Sequence, residues 1–193
     1  QALLSADEAL VMIAPTRFGT LIWAVTRDTV KWVRADLTGK EINAKVSALR
    51  CGLDIARWAE GAPDCLAHNN QAPERDLLPF DTALAHELYR ALIGPVEDAI
   101  GNRHILLSGA DALTTLPFHV LVTEPPPQGA TIAERLKGVA WLGQRQPLTT
   151  LASVASLKSQ RQRLGDRAPK PFVAFANPLL VGDLGTDRRA FDR

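Results

Sequence analysis

The sequence predicts a layered α/β fold, α/β/α in its order of layers, around a mixed sheet that begins as an antiparallel meander. Three observations carry that expectation. Three short β-branched and aromatic runs come first, separated by turn residues; amphipathic helical stretches then alternate with further apolar strands; and the run that starts at His104 breaks sharply at Ser108-Gly109. With 46% hydrophobic and 22% charged residues, the chain can bury a substantial core, and 193 residues suit one domain or slightly more.

Residues 9–14, 20–25 and 29–34 read as the three opening strands, with Pro15 and Gly19 in the first spacer and Arg27-Asp28 in the second. In the third, Val30, Trp32 and Arg34 face one way and Lys31 and Val33 the other, so one of its faces is wetter. This meander occupies residues 1–38. Residues 39–100 then hold two helices. The first, over 39 to about 60, carries the stripe Ile42, Val46, Leu49, Leu53 and Ala56. A loop rich in Pro, Asn, Asp and Gln follows at 61–80. Asp81 caps the second helix, which carries Leu84, Leu88, Leu92, Val96 and Ile100 and is closed by Gly101-Asn102. Pro95 inside that stripe demands a kink, or an end near Ile93.

Residues 101–193 form the α/β segment. It contains the strand from His104, a turn through Ala110-Asp111, and a hydrophobic anchor at Leu116-Pro117-Phe118. An exposed loop at 125–129 comes next, then a short strand at 139–142, a third helix over 150–164, and an apolar strand at 171–176. No internal repeat or heptad is present.

Charge balance excludes some partners. Lys plus Arg is 22 and Asp plus Glu is 21, so nothing in the net charge of +1 proposes nucleic acid or an anionic membrane. No apolar run approaches the ~20 residues of a membrane helix, and no secretory signal pattern opens the chain. Cys51 and Cys65 make no disulfide framework and read as reduced thiols of a cytoplasmic protein. The start at Gln1 and the stop at Arg193 read as cut ends of a longer polypeptide.

Phosphate-binding glycine loops, zinc-protease and nucleophile-elbow motifs are all missing from the sequence. Chemistry would therefore fall to four histidines and two cysteines. Cys65 and His68 have a spacing that could clip a metal, but structural zinc wants four ligands and no second pair lies near, so no metal is expected and Cys65 reads as a solvated thiol. Cys51 lies at the margin of the first helical stripe and reads as a small buried hydrophobe. His86 sits near the polar face of its helix and reads as solvated. His104 and His119 lie near strand ends and read as partly buried packing histidines rather than catalytic ones. Nothing local places a histidine against a cysteine, as a nucleophile–base dyad requires. Asp111 reads as a turn former, and Trp23, Trp32 and Trp141 as packing residues. Lys158, Arg161, Arg163, Arg167 and Lys170 read as a solvated helix face, with an acidic partner surface as the alternative. No catalytic, cofactor-binding or metal residue is assigned, and no cofactor is expected.

The ordered set of features resembles the amino-terminal part of a CHAT domain, a family of caspase-like cysteine peptidases and relatives often preceded by helical repeats. The resemblance rests on the strands around Thr20–Val25 and Thr29–Arg34, on Leu78-Pro79-Phe80-Asp81, and on Leu92-Ile93-Gly94-Pro95-Val96-Glu97. It rests further on the run from His104 to Leu121, on Gln146-Pro147-Leu148-Thr149-Thr150-Leu151, and on Phe172-Val173-Ala174-Phe175-Ala176-Asn177-Pro178. Where the family usually has Pro-Asp-Gly, this chain has Ser108-Gly109-Ala110-Asp111-Ala112, while Leu-Pro-Phe is intact.

In that family the catalytic histidine and cysteine lie in His-x-x-x-His-Gly and Ser-Ala-Cys-x-x-Gly motifs beyond the Asn-Pro step. Here no histidine follows His119 and no cysteine follows Cys65, so no catalytic residue carries over. The resemblance therefore implies a pseudo-protease-like scaffold half, inactive alone, of a bacterial peptidase. Its partners would be the carboxy-terminal half of the same domain and upstream helical repeats such as TPR. A protein-interaction or sensor module without peptidase activity is the alternative. A third reading, an unrelated α/β enzyme using His104 or His119, requires a pocket on which they converge. A half-domain should also expose an apolar patch, expected at the sheet edge near residues 172–176.

Overall fold

The computed structural model describes residues 1–58, 63–69, 72–73 and 77–162. At its centre is a mixed sheet of β1 (Glu8–Thr16), β2 (Gly19–Val25), β3 (Val30–Ala35), β4 (His104–Gly109) and β5 (Leu148–Thr150), in the order β3-β2-β1-β4-β5. The antiparallel meander is present, with Met12 opposite Trp23 and Trp23 opposite Trp32. On its other side β1 takes β4 in parallel, Leu10 beside Leu106, and β4 takes β5 in parallel. A parallel neighbour needs a crossover, and the helical stretch between β3 and β4 supplies it.

That stretch holds α1 (Gly39–Arg50), α2 (Pro63–Asn69), α3 (Thr82–Leu92) and α4 (Glu97–Ile100), with 3-10 turns at Ile55–Trp58 and Gly94–Val96. After β4 come 3-10 turns at Asp111–Thr115 and Phe118–Val120, then α5 (Ile132–Leu136) and α6 (Leu142–Arg145). The last described element is α7 (Val154–Gln162), after β5.

Two of the helix starts follow from the sequence directly. Thr38 and Glu41 form a reciprocal capping box on α1, and the Asp81 side chain accepts from the Leu84 amide at 2.8 Å at the start of α3. The second helix ends at Leu92, with Ile93 as its cap and the Pro95 turn after it, as the proline requires. Gly101, with φ +57°, closes α4.

Strand alternation divides the sheet into two faces. On one, Ala9, Val11, Ile13, Ile22, Ala24, Ile105 and Leu107 are buried against Leu49, Leu88, Leu92, Val96, Ile100 and Phe118 from the helices and turns. Each such large side chain contributes about 1.5–3 kcal/mol of apolar burial. The second face has a smaller cluster, Leu10 and Leu106 with Leu4, Leu151 and Leu157. Among the described residues α7 is the helix that contributes to it, through Leu157.

Several expectations are corrected. The first helix stops at Arg50, and Gly52 just beyond it lies close against Phe80: a Cβ at residue 52 would meet the Phe80 Cα at 2.5 Å. Leu53 and Ala56 leave the stripe and are exposed. The expected loop at 61–80 contains α2. Cys51 and Cys65 are not free thiols; they are disulfide-bonded and both buried. Residues 139–142 form no strand: Trp141 makes one isolated bridge to Val122, and Leu142 already opens α6. The helix expected over 150–164 starts at Val154, since Thr150 belongs to β5. Residues 130–138, given no element from sequence, hold α5 behind a Thr131–Glu134 capping box. The strand expected at 171–176 lies outside the described residues.

Candidate functional site

The second sheet face is the most distinctive surface. Directly opposed pairs share a face, so Met12, Trp23 and Trp32 form one row across β1, β2 and β3. The rows beside it hold Leu10, Val25 and Val30 on one side and Ala14, Leu21 and Arg34 on the other. Through the parallel pairing, Ser108 joins the first row and Leu106 the second. The helix α7 packs at the Leu10–Leu106 end. Toward β3 no described element covers the face: Trp32 is 63% exposed and Val30 58%, while Met12, Leu21 and Trp23 are half-buried. A shallow cleft of about 380 Å³ lies between Met12, Ala14, Trp23, Ser108 and Ala110. Trp32 is thus not the packing residue expected of it. The wetter face of β3 is the one bearing Val30, Trp32 and Arg34, and that wetness exposes an indole.

The rim of this face is cationic. Arg34 donates to the Phe18 carbonyl in the β1–β2 turn, and the Arg17 guanidinium lies 4.4 Å from the centre of the exposed Phe18 ring. At the far end an ion pair pins α7 to β1. Arg161 donates to Glu8 through both arms, Nη2 to Oε1 at 2.5 Å and Nη1 to Oε2 at 2.7 Å, and also to the Leu3 carbonyl. Ser5 adds its amide and hydroxyl to Glu8 Oε2, each at 2.8 Å. The Arg161 hydrogen bonds lead in holding the Glu8 carboxyl down at about 2, against partial burial that opposes them. Arg161 is therefore not part of a solvated face. Lys158 is exposed, and Arg163, Arg167 and Lys170 lie outside the described residues.

The histidines are dispersed. His104 shares the second face, with Nε2 2.8 Å from Thr149 Oγ1 on β5. His119 is exposed rather than partly buried and stands against Gly143 in α6, where a Cβ would come within 2.9 Å of its own. His86 is half-buried rather than solvated: its Nδ1 lies 2.9 Å from the Val122 carbonyl, which makes that nitrogen the protonated one. It lines a cleft of about 540 Å³ with Tyr89, Arg90, Glu97 and Thr123. Behind it Arg145 bridges Glu97 at 2.5 Å and the Tyr89 hydroxyl at 2.9 Å. Burial first, then the hydrogen bond with Glu97, pushes the Tyr89 phenol up to about 12. Neither His104 nor His119 lines this cleft, the one beside Trp23, or a third of about 270 Å³ between α2 and α3. Asp111 has the turn role expected of it, at φ +53°.

His68 on α2 pairs with Asp81 at 3.3 Å, Nε2 to Oδ2, rather than with Cys65 around a metal. Among the described residues no three His, Cys, Asp or Glu side chains gather as a metal set. The disulfide, like the Arg161–Glu8 pair, is a feature that sequence reasoning missed. Its trace in the sequence was Cys51 at the margin of a buried stripe, 14 residues before a second cysteine. Trp58 packs on the bond and donates from Nε1 to the Cys51 carbonyl at 2.7 Å.

No helix of the described residues is long and apolar enough to cross a membrane. No curated protein matches this chain. A family model, CHAT domain, matches residues 82–189, from the first residue of α3 onward and over more than half of the 193 residues. The meander and α1 precede the matched stretch. The chain belongs to the CHAT domain family.

Proposed function

We propose that this chain is the scaffold portion of a CHAT-type cysteine peptidase, on whose open sheet face the catalytic half of the same domain packs. The observation that carries the reading is the row Met12, Trp23 and Trp32, an apolar strip that α7 leaves uncovered. Leaving an indole and a valine more than half in water on a strand of a stable sheet is unfavourable unless a partner covers them. The sequence agrees: no histidine follows His119 and no cysteine follows Cys65, so a peptidase dyad of the family's kind has to come from elsewhere in the parent polypeptide. A rigid sheet is suited to holding such a dyad in productive geometry. Upstream helical repeats, a bacterial source and a cytoplasmic setting belong to the same proposal. The expectation of a cytoplasmic protein rested partly on free thiols, and the Cys51–Cys65 bond removes that support.

The test is made in the parent polypeptide. Trp32→Ser with Val30→Ser should lower cleavage of a protein substrate at least tenfold while circular dichroism of the variant stays unchanged. Unchanged cleavage would refute the packing role. A parent without His-Gly and Ala-Cys motifs would leave the second reading, a CHAT domain that binds protein partners without peptidase activity, which the exposed Arg34, Arg17 and Phe18 at the rim of the face favour.

A further inference from the structure

Among the described residues, few contacts join the helix α2 to the rest of the protein. Of its seven residues Cys65 is the buried one; Asn69 is half-buried and the others are exposed. The Asn69 amide turns back on its own helix, donating to the Cys65 carbonyl at 3.0 Å. Outward, among the described residues, α2 has the His68–Asp81 contact, the bond from Cys65 to Cys51 and the packing of Trp58 on that bond. A seven-residue helix has no stability of its own in water. Cys51, by contrast, is firmly set: its amide donates to the carbonyls of Ala48 and Leu49 at the end of α1, and Gly52 beside it packs on Phe80. The two sulfurs thus join a stable element to one that opens easily. The same helix supplies His68 and Asn69 to one wall of the 270 Å³ cleft, facing Phe80, Thr82, Pro126 and Pro127.

We infer that Cys51–Cys65 is a thiol–disulfide exchange site acted on by a dithiol reductant, and that its reduction releases α2 and opens that cleft. Burial of both residues at 1% exposure blocks direct attack, so access comes when α2 lifts. One thiolate of the reductant then attacks one sulfur, forming a mixed disulfide and expelling the other sulfur as a thiolate, which takes up a proton. The second thiol of the reductant closes on the mixed bond, releasing the remaining cysteine, protonated in turn, and leaving the reductant as its cyclic disulfide. Two electrons and two protons pass from the dithiol to the pair. The reading is independent of the scaffold role.

The experiment treats the full chain with dithiothreitol without denaturant and follows intact mass, hydrogen exchange by peptide and Trp58 emission. Reduction should go to completion, peptides covering residues 63–69 should exchange at least about tenfold faster, and β1, β4 and α3 should keep their protection. Emission should rise as the quenching disulfide next to Trp58 is lost, and not in Trp58→Phe. Cys51→Ala with Cys65→Ala should reproduce the fast exchange of α2 without reductant. Thiols that stay free in air-equilibrated protein, reduction that needs denaturant, unchanged protection of 63–69, or loss of protection across the whole sheet would each overturn the inference.

Discussion

Replacing Glu8 by Gln probes the ion pair that fastens α7 to the central strand. The carboxylate accepts both arms of Arg161 and two donors from Ser5, and its pKa is held at about 2 against an ordinary 4.5. A difference of that size corresponds to about 3 kcal/mol of preference for the ionised form in the folded state. The Arg161 side chain is 24% exposed, so screening by solvent lowers the expected cost of Glu8→Gln to about 2 kcal/mol. For a domain of this length that is a fall in Tm of roughly 4–8 °C.

The pH dependence has a definite sign. Because the folded value lies below the unfolded one, the contribution is complete above pH 4.5 and disappears as pH falls through about 2. The wild-type chain should therefore lose stability between those values by an amount Glu8→Gln does not lose. Urea melts at pH 7, 4.5 and 2.5 measure the difference, and hydrogen exchange of residues 154–162 locates it on α7. Equal stabilities of the two proteins at pH 7, or parallel losses on acidification, would refute the argument. A double-mutant cycle with Arg161→Gln should return a coupling of about 1–3 kcal/mol.

Gly52→Ala should destabilise the protein by about 1–3 kcal/mol in a chemical melt, because its Cβ meets Phe80 backbone at 2.5 Å and neither side can yield cheaply. Asp81→Ala removes the cap on the Leu84 amide and should cost about 1 kcal/mol, with Asp81→Asn recovering most of it. Tyr89 is the single tyrosine of the sequence, so absorbance at alkaline pH reads it alone; the phenolate should appear near pH 12. The raised value means that stability is intact below pH 10 and declines from there to about 12, and Glu97→Gln should bring the titration down.

Local chemistry was legible along the chain wherever a short-range rule acts alone. The three-stranded meander follows from alternating apolar runs and turn residues, the start of α3 from the Asp81 cap, and its end from Pro95. What lies between distant residues was not legible. Gly52, just past the end of α1, meets Phe80 from some thirty positions away; the stripe through Leu53 and Ala56 has helical period, and period is blind to such a neighbour. The cysteines show the same limit, since Cys51 alone looks like a buried hydrophobe and Cys65 like a loop thiol, and their meeting depends on how α2 folds back on α1. Arg161 has the composition of a solvated helix and becomes half-buried because β1 carries Glu8 beneath it. The α/β class, the meander and the family resemblance could be read from the chain alone, since all are encoded in neighbouring residues. Which sheet face is left open, which helix a disulfide ties down and which charges are paired emerge in the folded chain, because each depends on side chains brought together from elements far apart in sequence.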